Sequence, residues 1–196
     1  MQIDYYFSTI SPFTYLSGTR PAQVAAKHGA SLNYKPLDIM GLFGRTGGTP
    51  PKDRHENRKA YRLTEMRRAA AKLEMPINLQ PAHWPTNAAP SSYAIIAAVR
   101  DGSGDVADLV AGLTRACWAE EKDIAQDEVI GDCLVAAGFD RTLVDHDMMQ
   151  GAETYARNLE DAVKAGAFGA PFFIVGEEPF WGQDRIDDLD AYLAAF

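Results

Sequence analysis

Ser11 stands directly before Pro12, with Phe13 and Thr14 behind it, where a run of apolar and aromatic residues gives way to helix formers. A proline at the first helical position costs no hydrogen bond, because that N–H has no partner within the helix, so Ser11 is the natural N-cap. The start of a helix is also where an anion is favoured. Three further groups offer chemistry. Gly169-Ala170-Pro171 opens a second apolar run, Phe172-Phe173-Ile174-Val175. Gln183 and Asp184 fall where a hairpin should turn into a last helix, which places backbone N–H groups and one carboxylate at the same helix start. Between these ends lies a basic island over residues 52–68 in which Arg54, Arg58 and Arg62 recur every fourth residue, the spacing of one helix face. Each feature also has an ordinary structural use: a cap, a strand-opening proline, a second cap with Asp187, and a solvated helix face.

The remaining reactive residue types are sparse. Cys117 and Cys133 are the only cysteines, too few for a disulfide framework and far from a C-x-x-C spacing, and both read as small buried hydrophobes. His28, His55, His83 and His146 are scattered without the spacing of a metal-binding helix, so no metal site is expected. A net charge of −8 argues against nucleic acid, which demands a basic excess. No apolar run approaches the ~20 residues that span a membrane. Met1 leads straight into a strand-like segment without a charged leader, so a cytoplasmic location is expected.

At 196 residues, 46% of them apolar, the chain can bury a substantial core. Residues 3–7 read as a strand, 21–28 as a helix that Pro21 restarts or kinks, and 31–37 as a second strand, a βαβ beginning with a right-handed crossover. The Gly, Thr and Pro residues of 44–51 read as turn and as the edge of an insertion. Beyond it Leu63, Met66, Ala70 and Leu73 repeat at helical spacing. A Pro-rich loop carrying Trp84 and Asn87 follows. Residues 91–100, 106–119, 128–137, 141–149 and 152–165 read as further helices. Strand character returns at 172–175 and 179–181 as a hairpin, and 187–196 closes as a helix. The expectation is an α/β fold in two parts: residues 1–39 with 151–196 around a sheet, and an all-α domain inserted over 40–150.

In this order the motifs resemble the 2-hydroxychromene-2-carboxylate isomerase family, relatives of the kappa-class glutathione transferases in the DsbA-like branch of the thioredoxin superfamily. The resemblance spans nearly the whole chain. It is carried by Tyr6-Phe7 before Ser11-Pro12-Phe13 and Tyr15-Leu16, by Thr46-Gly47-Gly48-Thr49-Pro50-Pro51, by Trp84-Pro85-Thr86-Asn87, by Phe168-Gly169-Ala170-Pro171, and by Trp181-Gly182-Gln183-Asp184-Arg185. Two positions depart from the family pattern: Gly48 stands where relatives carry Asn, and Ser8 where an Asp commonly precedes the serine motif.

The resemblance implies a thioredoxin-like fold and a site that has lost its cysteines and borrows the thiol of glutathione. Ser11 then occupies the place of an attacking cysteine and holds glutathione's sulfur, while Thr14, at the second cysteine's place, is expected on the helix surface. Pro171 matches a cis-proline that frees the Ala170 backbone to pair with the cysteinyl unit. Gln183 and Asp184 receive the γ-glutamyl end, and Arg58 falls nearest a lysine that holds a carboxylate of glutathione or substrate. Arg54 and Lys59 are its neighbours, and Trp84 and Asn87 form a wall and a polar contact of the pocket for an aromatic carboxylate. Relatives are dimers, so a homodimer is expected. The implied activity is glutathione-dependent cis–trans isomerisation of a 2-hydroxychromene-2-carboxylate or benzylidenepyruvate by reversible thiolate addition. The alternatives are a kappa-class-like transferase or peroxidase, and a non-catalytic thioredoxin-like module that binds peptides along the Ala170-Pro171 edge.

Overall fold

The structure, a computed structural model, describes residues 1–146 and 148–196. It is organised by β1 (Gln2–Phe7), whose two faces bury different sets of residues. Ile3, Tyr5 and Phe7 point to one side and Tyr6 to the other, as a strand with both faces covered requires. β1 pairs in parallel with β2 (Ser31–Pro36), Tyr5 opposite Tyr34, and antiparallel with β3 (Phe172–Val175), Tyr5 opposite Phe173. β4 (Glu178–Trp181) closes an antiparallel hairpin on β3, so the order is β2-β1-β3-β4. Tyr5 stacks on Phe7 at 4.6 Å and on Phe173 at 4.8 Å, which pins the register at the centre of the sheet.

The crossover from β1 to β2 contains two helices. α1 (Pro12–Ser17) stops at Gly18, whose φ of 53° is poorly tolerated by other residues. α2 (Arg20–Lys27) then starts afresh with Pro21 in its first turn, so the proline restarts the helix as the sequence suggested. After β2 come α3 (Ile39–Thr46), α4 (Glu56–Lys72), α5 (Ala89–Asp101), α6 (Val106–Ala119), α7 (Asp127–Ala136) and α8 (Met148–Lys164). The chain ends, beyond β4, in α9 (Ile186–Leu193).

Three elements differ from the sequence expectation. Residues 39–46, of which the sequence reading covers only 44–46, as turn, form α3: Asp38 caps it by accepting from Met40 N at 3.0 Å, and Ile39 and Leu42 bury one face. Its glycines mask that short apolar pattern. The helix expected over 141–149 is a 3-10 turn at Arg141–Val144, held by Asp140, which accepts from both the N–H and the hydroxyl of Thr142; Asp147 lies outside the described residues. Arg54 lies ahead of α4, whose cap is His55, so it does not share a helix with Arg58 and Arg62.

Two cores flank the sheet. On one side α5, α6, α7 and α9 contribute Ile95, Leu113, Leu134 and Leu189 to a cluster with Ile3, Phe7 and Phe173. On the other, Leu16, Leu42, Met66, Trp118 and Ala162 gather on Tyr6 and Phe172. The helical stretch of the chain thus shares both cores with the sheet, and α8 runs unbroken across position 150, the expected end of the insertion. Asn158 of α8 donates to Pro36 O at 2.9 Å, a buried bond tying that helix to the end of β2. Among the described residues no helix is long and apolar enough to cross a membrane.

Candidate functional site

The short link from β1 to α1 turns sharply at residues 8–11, where the N–H of Ser11 donates to Ser8 O at 3.0 Å. Ser11 then has extended dihedrals (φ −83°, ψ 124°) and caps α1, its Oγ accepting from Thr14 N at 3.3 Å. The same hydroxyl donates to Ala170 O at 3.2 Å, across a gap closed only by folding. The Ala170-Pro171 bond is cis. The start of α1 and the segment leading into β3 therefore face each other, joined by one side-chain hydrogen bond. α1 is only six residues long, so its dipole is small and the hydroxyl is the stronger anion-holding group. Thr14, expected on the helix surface, is buried instead, because α1 is covered by α4 and α6.

This junction floors a cavity of about 510 Å³. One wall comes from the β4–α9 connection. Gly182 has φ 112°, its N–H donates to Pro171 O at 3.0 Å, and it starts a 3-10 turn over Gln183–Arg185. The first N–H groups of such a turn have no partner within it, which leaves those of Gln183 and Asp184 at the cavity. Arg20 of α2 fixes this turn, its guanidinium donating to Leu16 O at 2.9 Å, Gln183 Oε1 at 2.9 Å and Gln183 O at 3.2 Å. Asp184 is paired with Arg185 at 3.0 Å. The exposed Trp181 lies over Gly169 so closely that a Cβ there would meet its indole nitrogen at 2.3 Å.

The opposite wall is built from side chains. Trp84 donates its Nε1 to Ile10 O at 3.0 Å, which ties the Pro-rich loop to the residue before Ser11. Arg62 of α4 lies over the Trp84 ring at 5.3 Å and the Trp118 ring at 5.9 Å. Arg54 donates Nε to Thr49 O at 2.8 Å and covers Phe43 at 5.6 Å. Burial lowers both guanidinium pKa values, that of Arg62 to about 10 with a further push from Arg54, and that of Arg54 with a further push from Arg58. Glu65, on the rim, is raised by burial and then by Asp184. That wall thus carries the guanidinium groups of Arg54 and Arg62, with the Glu65 carboxylate beside Arg62.

Of the residues singled out in the sequence, Ser11, Ala170, Gln183, Asp184, Arg54 and Trp84 line this cavity, and Pro171 lies directly behind Ala170. Arg58, Lys59 and Asn87 do not line it. Arg58 is exposed, Lys59 pairs with Glu56 at 2.9 Å, and the Asn87 side chain turns to the start of α5, accepting from Ala89 N at 3.0 Å. The sequence reading gave no role to Arg62, Glu65 and Trp181, which do line it. For Arg62 a signal existed: it precedes the buried Met66 and Ala70 by four and eight residues, and so heads the inward stripe of α4. The two cysteines lie elsewhere, Cys117 buried and Cys133 half-buried, and burial pushes their thiols up to about 12 and about 11.

A family profile described as a DSBA-like thioredoxin domain matches residues 2–194. The chain belongs to the DSBA-like thioredoxin family. Within curated sequences it is similar to a 2-hydroxychromene-2-carboxylate isomerase of Sphingobium xenophagum, 28% identical over 194 residues that cover 97% of each chain. A solved 2-hydroxychromene-2-carboxylate isomerase superposes with a TM-score of 0.79 at 24% identity, covering 100% of this chain and 95% of the other. The cytosolic disulfide reductase DsbM from Pseudomonas aeruginosa, solved with GSH, superposes at 0.72 and 18% identity, covering 100% and 98%.

Proposed function

We propose that the chain is a glutathione-dependent isomerase of 2-hydroxychromene-2-carboxylate or o-hydroxybenzylidenepyruvate type acids. The observation that carries this reading is the Ser11 hydroxyl, held at the floor of the cavity 3.2 Å from Ala170 O, in a site that has no cysteine of its own. The near full-length similarity to a protein named for this activity supports it.

The residues present suit glutathione. The Ala170 carbonyl keeps a second lone pair for a peptide N–H of the cysteinyl unit. The N–H groups of Gln183 and Asp184 receive the γ-glutamyl carboxylate, and the Asp184 side chain its ammonium. Arg54, fixed by Thr49 and Phe43, offers its remaining N–H groups to a glycyl carboxylate. Ser11 swings its proton from Ala170 O to the sulfur. A hydrogen bond to a charged acceptor contributes about 1.5–3 kcal/mol, enough to lower a thiol pKa near ~8.5 by roughly one to two units. When bound, glutathione supplies a thiolate that adds to the conjugated carbon and later leaves it, the double bond turning as a single bond in between, so that the cofactor is returned. The Trp84 wall holds the acid beside that sulfur and limits water.

The test follows the ultraviolet absorbance of the glutathione thiolate against pH with excess protein, wild type beside Ser11→Ala. Ionisation of bound glutathione below its free value, lost in the variant, is the expected result. No bound thiolate in the wild type overturns the reading, and steady consumption of glutathione during turnover marks a transferase instead.

A further inference from the structure

Gly47 and Gly48 follow each other at the end of α3 and answer different needs. Gly47 takes the left-handed φ of 77° that stops the helix. Gly48 has no positive φ, so its backbone alone does not demand glycine. A Cβ there would instead meet the Phe43 ring, 2.4 Å from Cδ1 and 2.9 Å from Cγ. Both distances lie well inside van der Waals contact. The Gly48 N–H donates to Phe43 O at 3.0 Å, which holds the two backbones together and leaves the ring as the part that must give. The Phe43 ring thus occupies the place where a side chain at position 48 would stand.

That ring is one of two supports of Arg54. The guanidinium lies over it at 5.6 Å, and Arg54 Nε donates to Thr49 O at 2.8 Å, the carbonyl next along the loop from Gly48. A side chain at position 48 displaces the ring or, by breaking the bond to Phe43 O, the loop backbone, and either movement takes a support away. Phe43 and Arg54 line the cavity and Gly48 does not, so position 48 acts on a ligand only through them. We infer that Gly48 is a positioning residue for the cavity's recognition of an anion: by leaving the Phe43 ring its seat it keeps Arg54 on the wall, and any side chain at position 48 costs the site its preference for a negatively charged group there. The proposal rests on the glutathione reading only for the identity of that group, the glycyl carboxylate.

The test is isothermal titration calorimetry with glutathione and with its glycyl monoethyl ester, in which that carboxylate is uncharged. Wild type, Gly48→Ala, Phe43→Leu and the double variant Gly48→Ala/Phe43→Leu are compared. The wild type is expected to prefer glutathione to the ester at least about fivefold. Gly48→Ala should weaken glutathione about three- to fivefold and leave the ester within about twofold, which also shows the variant folded with the rest of the site intact. Phe43→Leu removes the ring without adding a clash and should lose the same preference. On that background Gly48→Ala should cost nothing further, so the double variant matches Phe43→Leu within about twofold. Glutathione binding by Gly48→Ala equal to that of wild type overturns the proposal, as does a parallel loss of glutathione and ester. A wild type without the preference overturns it too, and so does a preference kept by Phe43→Leu, which decides the matter even if Gly48→Ala alone does not fold, or a Gly48→Ala penalty that is the same with and without the ring. The expected pattern in a protein that binds glutathione without isomerising the acid supports the role of Gly48 and overturns the isomerase reading. A stabilised thiolate whose carboxylate preference ignores Gly48→Ala does the reverse, so the two fail separately.

Discussion

The two walls of the cavity are made of different material. The wall around Ala170 and Gln183 presents mainly backbone, a carbonyl and two N–H groups at a 3-10 turn, with the Ser11 hydroxyl, the Asp184 carboxylate and the Trp181 indole beside them. The wall of α4 and the Pro-rich loop presents side chains, with guanidinium groups and aromatic rings. Backbone groups are the same whatever residues carry them, so the first wall suits a constant peptide-like partner, as the proposed cofactor is, and tolerates drift. The second depends on residue identity at a few positions, so under the proposed function it is the wall suited to choosing the substrate. The walls touch through Trp84 Nε1 and Ile10 O, which in the proposed reaction would bring an acid on one side beside a sulfur on the other.

The comparison can be broken most severely at its floor. Ser11→Ala removes the donor to the thiolate, and turnover should fall about 10–100-fold while the KM of the acid stays within about twofold, as steady-state kinetics would show. A large rise in acid KM would mean that the walls are not separable. The converse variant is Trp84→Leu. It strips the indole beneath Arg62 and the link to Ile10, and the acid KM should rise about tenfold with the pKa of bound glutathione within roughly 0.3 of wild type. Arg20→Ala sharpens the picture of the backbone wall, since Gln183 is the lining residue that Arg20 hydrogen-bonds. Glutathione Kd, by calorimetry, should rise about three- to tenfold, with acid binding unmoved.

The smallest effect lies away from both walls. Folding holds the Cys117 and Cys133 thiols up at about 12 and about 11, against an ordinary value of 9.0. Between those values the unfolded chain has lost protons that the folded chain keeps, so stability falls as pH rises through that window and is unaffected below it. The urea midpoint should drop less steeply between pH 9 and 11, roughly, in Cys117→Ala/Cys133→Ala than in wild type, while glutathione and acid binding at neutral pH stay unchanged.

The backbone wall was legible in the sequence because its devices are local. A serine before a proline caps a helix whatever surrounds it, and Ala170-Pro171 and Gln183-Asp184 sit beside strands whose apolar runs are plain. The side-chain wall was read less well because it depends on how helices are phased and packed. Arg54, Arg58 and Arg62 look alike as a repeat, but His55 starts the helix after Arg54, and burial of Met66 and Ala70 turns Arg62 inward and leaves Arg58 in solvent. Asn87 was placed with Trp84 by proximity in sequence, whereas the start of α5 claims its side chain. α3 was hidden by Gly41 and Gly44, which interrupt its apolar residues, whereas burial of Ile39 and Leu42 holds the helix in place.

All three tryptophans of the chain belong to this one region: Trp84 and Trp181 line the cavity and Trp118 packs on Trp84 at 5.5 Å. Their surroundings differ, with Trp118 fully enclosed, Trp84 half-buried and Trp181 54% exposed on the opposite wall. The molecule is thereby its own optical gauge. A compound settling against the Gln183 wall dries Trp181 and trims the long-wavelength edge of the emission, while one settling against the α4 wall disturbs the shorter-wavelength light of Trp84 and Trp118. Colour alone, without label or coupled assay, reports which half of the cavity has filled.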